Sequence, residues 1–275
     1  MKEMKNSENI PDPVIETDNI KVGAQNREKV LYREDAIVRI TYEGDMYLTW
    51  GSGCAIGPNK ILTSAHVIKG LQYNNPDGKL IVYIGEHNGY KGSPISITKI
   101  DIHPEYKYIS NDINYQKINY DLAVITVDYE FNEYFEAYPF DKDEFPYPIE
   151  SFKFSWVGYP SDLILFDLDG NAIDKDRITY SQWLTESKKY ISNRVIVYIE
   201  DGKVRKENLP IQREVIRFRA VSTPGQSGSP LIFPSEQPRS HRVIGALSGG
   251  PDDETTDFTL LTTQNYQFVL DALRR

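Results

Sequence analysis

The chain is poor in cysteine, histidine and positive charge, and it has no long apolar run. Cys54 is the only cysteine among 275 residues, so no intramolecular disulfide can form. Lysine and arginine total 31 against 40 acidic residues, and the net charge of −9 disfavours nucleic-acid binding, which needs a basic surface. No stretch approaches the roughly 18 apolar residues of a membrane span, and the N-terminus shows no apolar signal-peptide core. We therefore expect neither a nucleic-acid nor a membrane partner.

The single cysteine also bears on the compartment. Cys54 follows Gly53 at the start of an apolar strand, a position that favours a small buried core residue over a reactive thiol. A chain without disulfides is compatible with a reducing compartment, so a cytoplasmic location is slightly favoured and secretion is the alternative. We expect a monomer.

The pattern of apolar residues is typical of an all-β protein. Residues 1–21 are polar and contain two prolines, which indicates a tail or pro-segment. The rest is long enough for two packed β-barrels of about 100 residues each. Asp201-Gly202 predicts a tight hairpin turn. Alternating apolar residues predict strands at 36–42, 46–50, 79–85, 95–102, 195–200 and 214–223.

Only the C-terminal end is expected to be helical. Its apolar residues recur at the spacing of one helix face, with Thr262 or Thr263 available as the N-cap. The residues on that face are Tyr266, Val269, Leu270 and Leu273.

Ser227 stands in a glycine-rich loop, between Gly225-Gln226 and Gly228. Glycines allow a sharp turn that points backbone amides at one spot, which a serine nucleophile needs to stabilise an oxyanion. A serine hydroxyl also needs a base, which a histidine supplies when a carboxylate fixes its tautomer. His66 follows the apolar strand that begins at Lys60, and Asp121 opens another apolar strand. The spacing allows His66 and Asp121 to share one lobe of a two-lobed β protein, with Ser227 in the other.

Three segments, 63–66, 121–124 and 225–230, resemble the catalytic boxes of the trypsin-like serine endopeptidases of the chymotrypsin fold. The bacterial glutamyl endopeptidases are more similar still, through residues 51–53, 119–121 and 158–160. The resemblance covers residues 22–275. It implies two six-stranded antiparallel β-barrels, about 22–140 and 141–275, with the active site in the cleft between them and a C-terminal helix.

The resemblance implies a role for each residue that matches the family's motifs. His66 is the general base, Asp121 its orienting carboxylate and Ser227 the nucleophile of an acyl-enzyme mechanism. The amides of Gly225 and Ser227 form the oxyanion hole. The substrate-binding residues implied are Ser222, Leu247, Ser248, Gly249 and Gly250.

Two residues depart from the family's pattern. Glutamyl endopeptidases place a histidine in the pocket strand, and the matching position here is Leu247, which puts glutamate preference in doubt. His241 could approach the pocket if the alignment across 234–240 shifts. Digestive trypsins have an aspartate before the serine that receives a new amino terminus, whereas this chain has Gln226, so trypsin-style zymogen activation is not expected.

The sequence therefore predicts a serine endopeptidase acting on proteins or peptides, with no cofactor and no metal. An acidic stretch at 167–176 lacks the spacing of an EF-hand and is interpreted as a hairpin tip. Two alternatives stay open: a HtrA-like protease core, although no length remains for its peptide-binding domain, and a catalytically inactive homologue that serves as a binding or regulatory module.

Overall fold

The computed structural model describes most of the chain. The described residues are 27–29, 35–42, 49–87, 92–107, 115–145, 147–149, 152, 154–161, 183–187, 190–191, 193–200, 203–233, 242–250 and 255–275. The predicted N-terminal tail, the acidic stretch and His241 lie outside them.

The first lobe is a closed barrel of six antiparallel strands, as predicted. Its strand order is β2-β3-β4-β7-β6-β5. The strands are β2 (Ile37–Tyr42), β3 (Gly51–Gly57), β4 (Lys60–Thr63), β5 (Leu80–Ile84), β6 (Ser93–Ile102) and β7 (Ala123–Val127), after a short β1 (Arg27–Lys29).

The interior of the first barrel is filled mainly by apolar side chains, many of them β-branched. Every residue of β2, β3 and β4 is buried, because their side chains pack either in the barrel interior or against neighbouring elements. Ile37, Ile40 and Ile61 are fully buried. Cys54 is also buried in this core, and burial raises the pKa of its thiol, so the predicted inert core cysteine is confirmed.

The second lobe is a curled sheet. Its strand path is β1-β10-β9-β15-β16-β17-β14-β11, and β8 joins β16 in parallel. Through the described residues this path is open, so a curled half-barrel stands where a second six-stranded barrel was predicted. The strands are β8 (Glu136–Ala137), β9 (Phe154–Gly158), β10 (Trp183–Ser187), β11 (Tyr190–Ile191), β14 (Val215–Arg219), β15 (Pro230–Phe233), β16 (Arg242–Gly249) and β17 (Thr255–Leu260).

A separate two-stranded sheet pairs β12 (Asn193–Glu200) with β13 (Lys203–Pro210). Glu200 pairs with Lys203, which confirms the predicted hairpin. The strands predicted at 36–42, 79–85 and 95–102 are also confirmed, with ends that differ by about one or two residues. The strand predicted at 214–223 ends at Arg219. No strand is present at residues 49 and 50, the described part of the one predicted at 46–50.

Two α-helices complete the described fold: α1 (Ala65–Asn74) and α2 (Thr263–Arg274). The predicted C-terminal helix is confirmed by α2, with Thr262 at its N-cap. The expectation that only this end is helical was wrong, because α1 follows β4 directly. Neither helix is long and apolar enough to cross a membrane.

Candidate active site

His66 lies in the first turn of α1, immediately after a barrel strand. The helix packs on the first lobe through Ala65, Ile68 and Leu71, which recur every three residues. Ser64 occupies the N-cap, but its hydroxyl donates to the Leu247 carbonyl of the second lobe, at 2.7 Å, rather than capping the helix. The start of α1 is therefore tied to both lobes.

Asp121 accepts two hydrogen bonds from His66. The ring Nδ1 lies 2.6 Å from Asp121 Oδ2, and the backbone amide of His66 donates to Oδ1 at 2.8 Å. Asp121 follows a 3-10 helix (Tyr115–Tyr120), and its side chain is only 5% exposed, whereas the His66 side chain is 31% exposed. The Asp121 carboxylate is thus enclosed behind an imidazole that is partly exposed to solvent.

This arrangement changes the acidity of His66. Burial disfavours the imidazolium, but the charge of Asp121 and the hydrogen bond to it outweigh burial, so the pKa of His66 is raised above its usual 6.5. Since Asp121 accepts the Nδ1 proton, the neutral ring has its lone pair on Nε2. That nitrogen is the one able to take a proton from an alcohol.

The loop that carries Ser227 requires glycine at two positions. Gly225 has φ +90° and Gly228 has φ +85°, a region that other residues rarely adopt. A Cβ on Gly225 would lie 2.4 Å from the Tyr159 carbonyl, and one on Gly228 would lie 2.2 Å from the Ser52 carbonyl. The glycines that flank Ser227 in the sequence are therefore set by both backbone conformation and space.

The serine loop is fixed against the first lobe next to α1. Ser52 donates its amide to the Ser227 carbonyl and its hydroxyl to the Gly225 carbonyl, both at 2.7 Å. A Cβ built on Gly51 would lie 2.5 Å from the Val67 side chain and 3.2 Å from the Ser227 carbonyl. Ser227 is therefore held beside the residue that follows His66.

Among the described residues, no backbone carbonyl accepts a bond from the amides of Gly225 and Ser227. The Pro224 carbonyl accepts a bond from the Ser161 amide at 2.8 Å. Because C=O and N–H point in opposite directions across a trans peptide, the Gly225 amide faces away from Ser161. Within the described part of the chain, neither amide donates a backbone hydrogen bond.

Gln226 stabilises this loop from inside. Its side-chain Oε1 accepts a bond from the Thr223 amide at 3.0 Å, while its own amide donates to the Thr223 carbonyl at 3.1 Å. The side chain is fully buried. The loop thus obtains its support from a neutral local contact at the position where digestive trypsins have an aspartate.

The predicted pocket residues lie on β16 and on the loop before the serine. Leu247 is 1% exposed and packs in the aromatic core of the second lobe, with its backbone bonded to Gly228 and Ser229. Ser222, Ser248 and Gly249 are half-buried, and Gly250 is exposed. The structure therefore brings Leu247 next to the serine loop but closes its side chain from solvent.

Several residues that build the site were not predicted. Ser52, Trp50 and Tyr159 join the lobes behind the serine loop: Trp50 Nε1 donates to the Tyr159 carbonyl at 2.8 Å, and the Tyr159 amide donates to Ser52 Oγ at 3.0 Å. The only signal was that Ser52 and Tyr159 lie in the boxes at 51–53 and 158–160, with Trp50 directly before the first box. Among the described residues no cluster of histidine, cysteine or acidic side chains could hold a metal ion.

Comparison with known proteins identifies the class. The family model described as Trypsin matches residues 24–269, so the chain belongs to the trypsin family. It is a serine endopeptidase, a hydrolase of peptide bonds, and its substrates are proteins or peptides.

One solved structure, a Glu endopeptidase in complex with MPD, is similar over 93% of this chain and 100% of that chain, with a TM-score of 0.61. The two are 19% identical, a level at which the likeness supports the chymotrypsin-like fold alone. No curated protein sequence matches the chain.

Proposed function

We propose that the chain cleaves peptide bonds through a His66, Asp121 and Ser227 triad. The contact between His66 Nδ1 and Asp121 Oδ2, at 2.6 Å, carries the proposal, because it leaves Nε2 free to act as a base. Nε2 takes the proton of the Ser227 hydroxyl as the serine oxygen attacks the scissile carbonyl. Asp121 stabilises the imidazolium that forms.

The amides of Gly225 and Ser227 stabilise the oxyanion of the tetrahedral intermediate. His66 then returns its proton to the leaving amine, and the acyl group remains on Ser227. Water, deprotonated by the same imidazole, hydrolyses the acyl-enzyme. The peptide bond between Pro224 and Gly225 supports this role. Its carbonyl accepts a bond from the Ser161 amide, so its N–H group, on Gly225, faces away from Ser161.

A fluorophosphonate probe tests the proposal against an inactive homologue. Only an activated serine reacts, so labelling of the wild type and not of Ser227→Ala is expected. Absence of labelling in the wild type would favour a binding or regulatory module.

Several other expectations from the sequence stay predictions. They are a monomer, the absence of nucleic-acid and membrane partners, the boundaries of the two lobes, and a cytoplasmic location, which is slightly favoured.

The acylation rate is expected to rise with pH. His66 must be neutral to accept the serine proton, and Asp121 raises the pKa of His66, so the protein is inactive below that pKa and active above it. The midpoint should lie above the 6.5 of an ordinary histidine. Initial rates of peptide cleavage from pH 5 to pH 9 would measure it; a flat profile would exclude His66 as the base.

Specificity is expected to favour uncharged side chains of medium size before the cleaved bond. A buried substrate carboxylate needs a cation or several donors, but the Leu247 side chain, apolar and packed in the core, supplies none, and Ser222 is the one obvious side-chain donor. Glutamate should therefore rank low. Mass-spectrometric profiling of a proteome-derived peptide library would measure the preference. Dominant cleavage after glutamate would overturn it and make His241 the next residue to mutate.

A further inference from the structure

Two side chains of the second lobe hold the backbone just before Asp121. The Thr259 hydroxyl, on β17, donates a short hydrogen bond to the Ile118 carbonyl. Asn265 Nδ2, in the first turn of α2, donates to the Asn119 carbonyl at 2.9 Å and to the Leu260 carbonyl at 2.8 Å. The carbonyls of Ile118 and Asn119, three and two residues before Asp121, are thus both bound by side chains of the opposite lobe.

The donors of these bonds lie in the protein interior, and the acceptor residues Ile118 and Asn119 are half-buried. Thr259 and Asn265 are both fully buried, so water cannot replace either donor without rearrangement. The Thr259 hydroxyl uses its single proton on Ile118 and accepts one from the Ser248 hydroxyl, 2.7 Å away. Its orientation is therefore fixed on both sides.

Within the turn that delivers Asp121, the Leu122 amide donates to the Tyr120 carbonyl at 2.8 Å. The Asp121 amide reaches the Ile118 carbonyl only at 3.5 Å, the outer limit of a hydrogen bond. After Asp121, the Leu122 carbonyl accepts a bond from the His103 amide at 3.0 Å, within the first lobe. The backbone around Asp121 is therefore bound by both lobes. Thr259 and Asn265 of the second lobe bind it before Asp121, and His103 of the first lobe binds it after Asp121.

We propose that Thr259 and Asn265 are positioning residues that hold Asp121 at bonding distance from His66. This inference rests on the proposed function, since it assigns the two residues to the same triad. It gives the C-terminal helix α2 and strand β17 an indirect role in the site, because they set the position of the Asp121 carboxylate, which belongs to the other lobe. Loss of either donor lets Asp121 withdraw, while the burial that lowers the pKa of His66 remains.

The test compares Thr259→Val, which keeps the side-chain shape and removes the hydroxyl, with Thr259→Ser, which restores it. The pKa of His66 is measured by NMR titration of its ring Cε1–H, assigned with His66→Ala among four histidines. Serine activation is measured as the rate constant for inactivation by a fluorophosphonate. Thr259→Val is expected to lower the His66 pKa and to slow inactivation about ten- to a hundred-fold, and Thr259→Ser to recover both.

Asn265→Leu is a second variant. Its Oδ1 has no partner among the described residues, so leucine removes an unsatisfied oxygen together with the donor, and folding should be retained. The same lowered pKa and slower inactivation are expected. Thr41→Val is the matched control, because the Thr41 hydroxyl is also buried and donates to a carbonyl, that of Thr49, at 2.7 Å. It should lose stability without moving the His66 pKa.

The outcomes separate this inference from the proposed function. An unchanged His66 pKa in both Thr259→Val and Asn265→Leu would overturn the positioning role, even if both variants were less stable. If the wild type does not react with the fluorophosphonate, the proposed function fails, but the NMR titration still decides whether the two residues position Asp121.

Discussion

Replacement of Ser227 by alanine is expected to reduce turnover by about a million-fold, the usual cost of removing a triad nucleophile. The residual rate would come from substrate binding and the oxyanion-hole amides, which alanine retains. The fold should be unchanged, because the contact that holds Ser227 is its backbone carbonyl bonded to Ser52. Casein hydrolysis by purified wild type and variant measures the loss, and circular dichroism tests the fold.

Ser229→Ala is the matched control in the same loop. Ser229 Oγ is buried and has no hydrogen-bond partner among the described residues, so its removal costs no bond. This variant should keep wild-type turnover. Equal turnover by Ser227→Ala and wild type would refute the assignment of the nucleophile, and equal losses in the two serine variants would point to disruption of the loop instead.

The sequence predicted those parts of the fold that depend on local pattern. Strands such as β2 and the helix α2 have a clear apolar period, and the glycines at 225 and 228 are demanded by the backbone itself. The order of the three boxes was enough to predict that two lobes bring them together. Each strand, helix, glycine and box lies within a short stretch of chain, and only the order of the boxes spans the sequence.

Features that depend on distant residues could not be predicted in the same way. Helix α1 was missed because its sequence contains Gly70, a poor helix former, and because Ser64 bonds Leu247 instead of capping the helix. The anchors Thr259 and Asn265 act on carbonyls that any residue could present. Buried ion pairs such as Arg217 with Asp257, bonded twice at 2.6 Å, likewise need the sheet register to bring the partners together.

Asp121→Asn is expected to reduce turnover by about ten-thousand-fold, through the tautomer of His66. In the wild type, Oδ1 accepts the His66 backbone amide and Oδ2 accepts the ring Nδ1 proton. An asparagine keeps its oxygen on the backbone amide, because the reverse orientation would face two donors toward each other. Its NH2 group then donates to Nδ1, and the neutral ring carries its proton on Nε2, where it cannot accept one from Ser227.

The same substitution removes the charge that raises the pKa of His66, so this pKa should fall below its wild-type value. Turnover and the His66 titration are measured together. Asp141→Asn is the control, because Asp141 also accepts a backbone amide, that of Asp143 at 3.0 Å, and is paired with a cation, Arg213. That variant should keep both values. A variant at Asp121 with near wild-type turnover and an unshifted His66 pKa would show that the carboxylate does not orient the base.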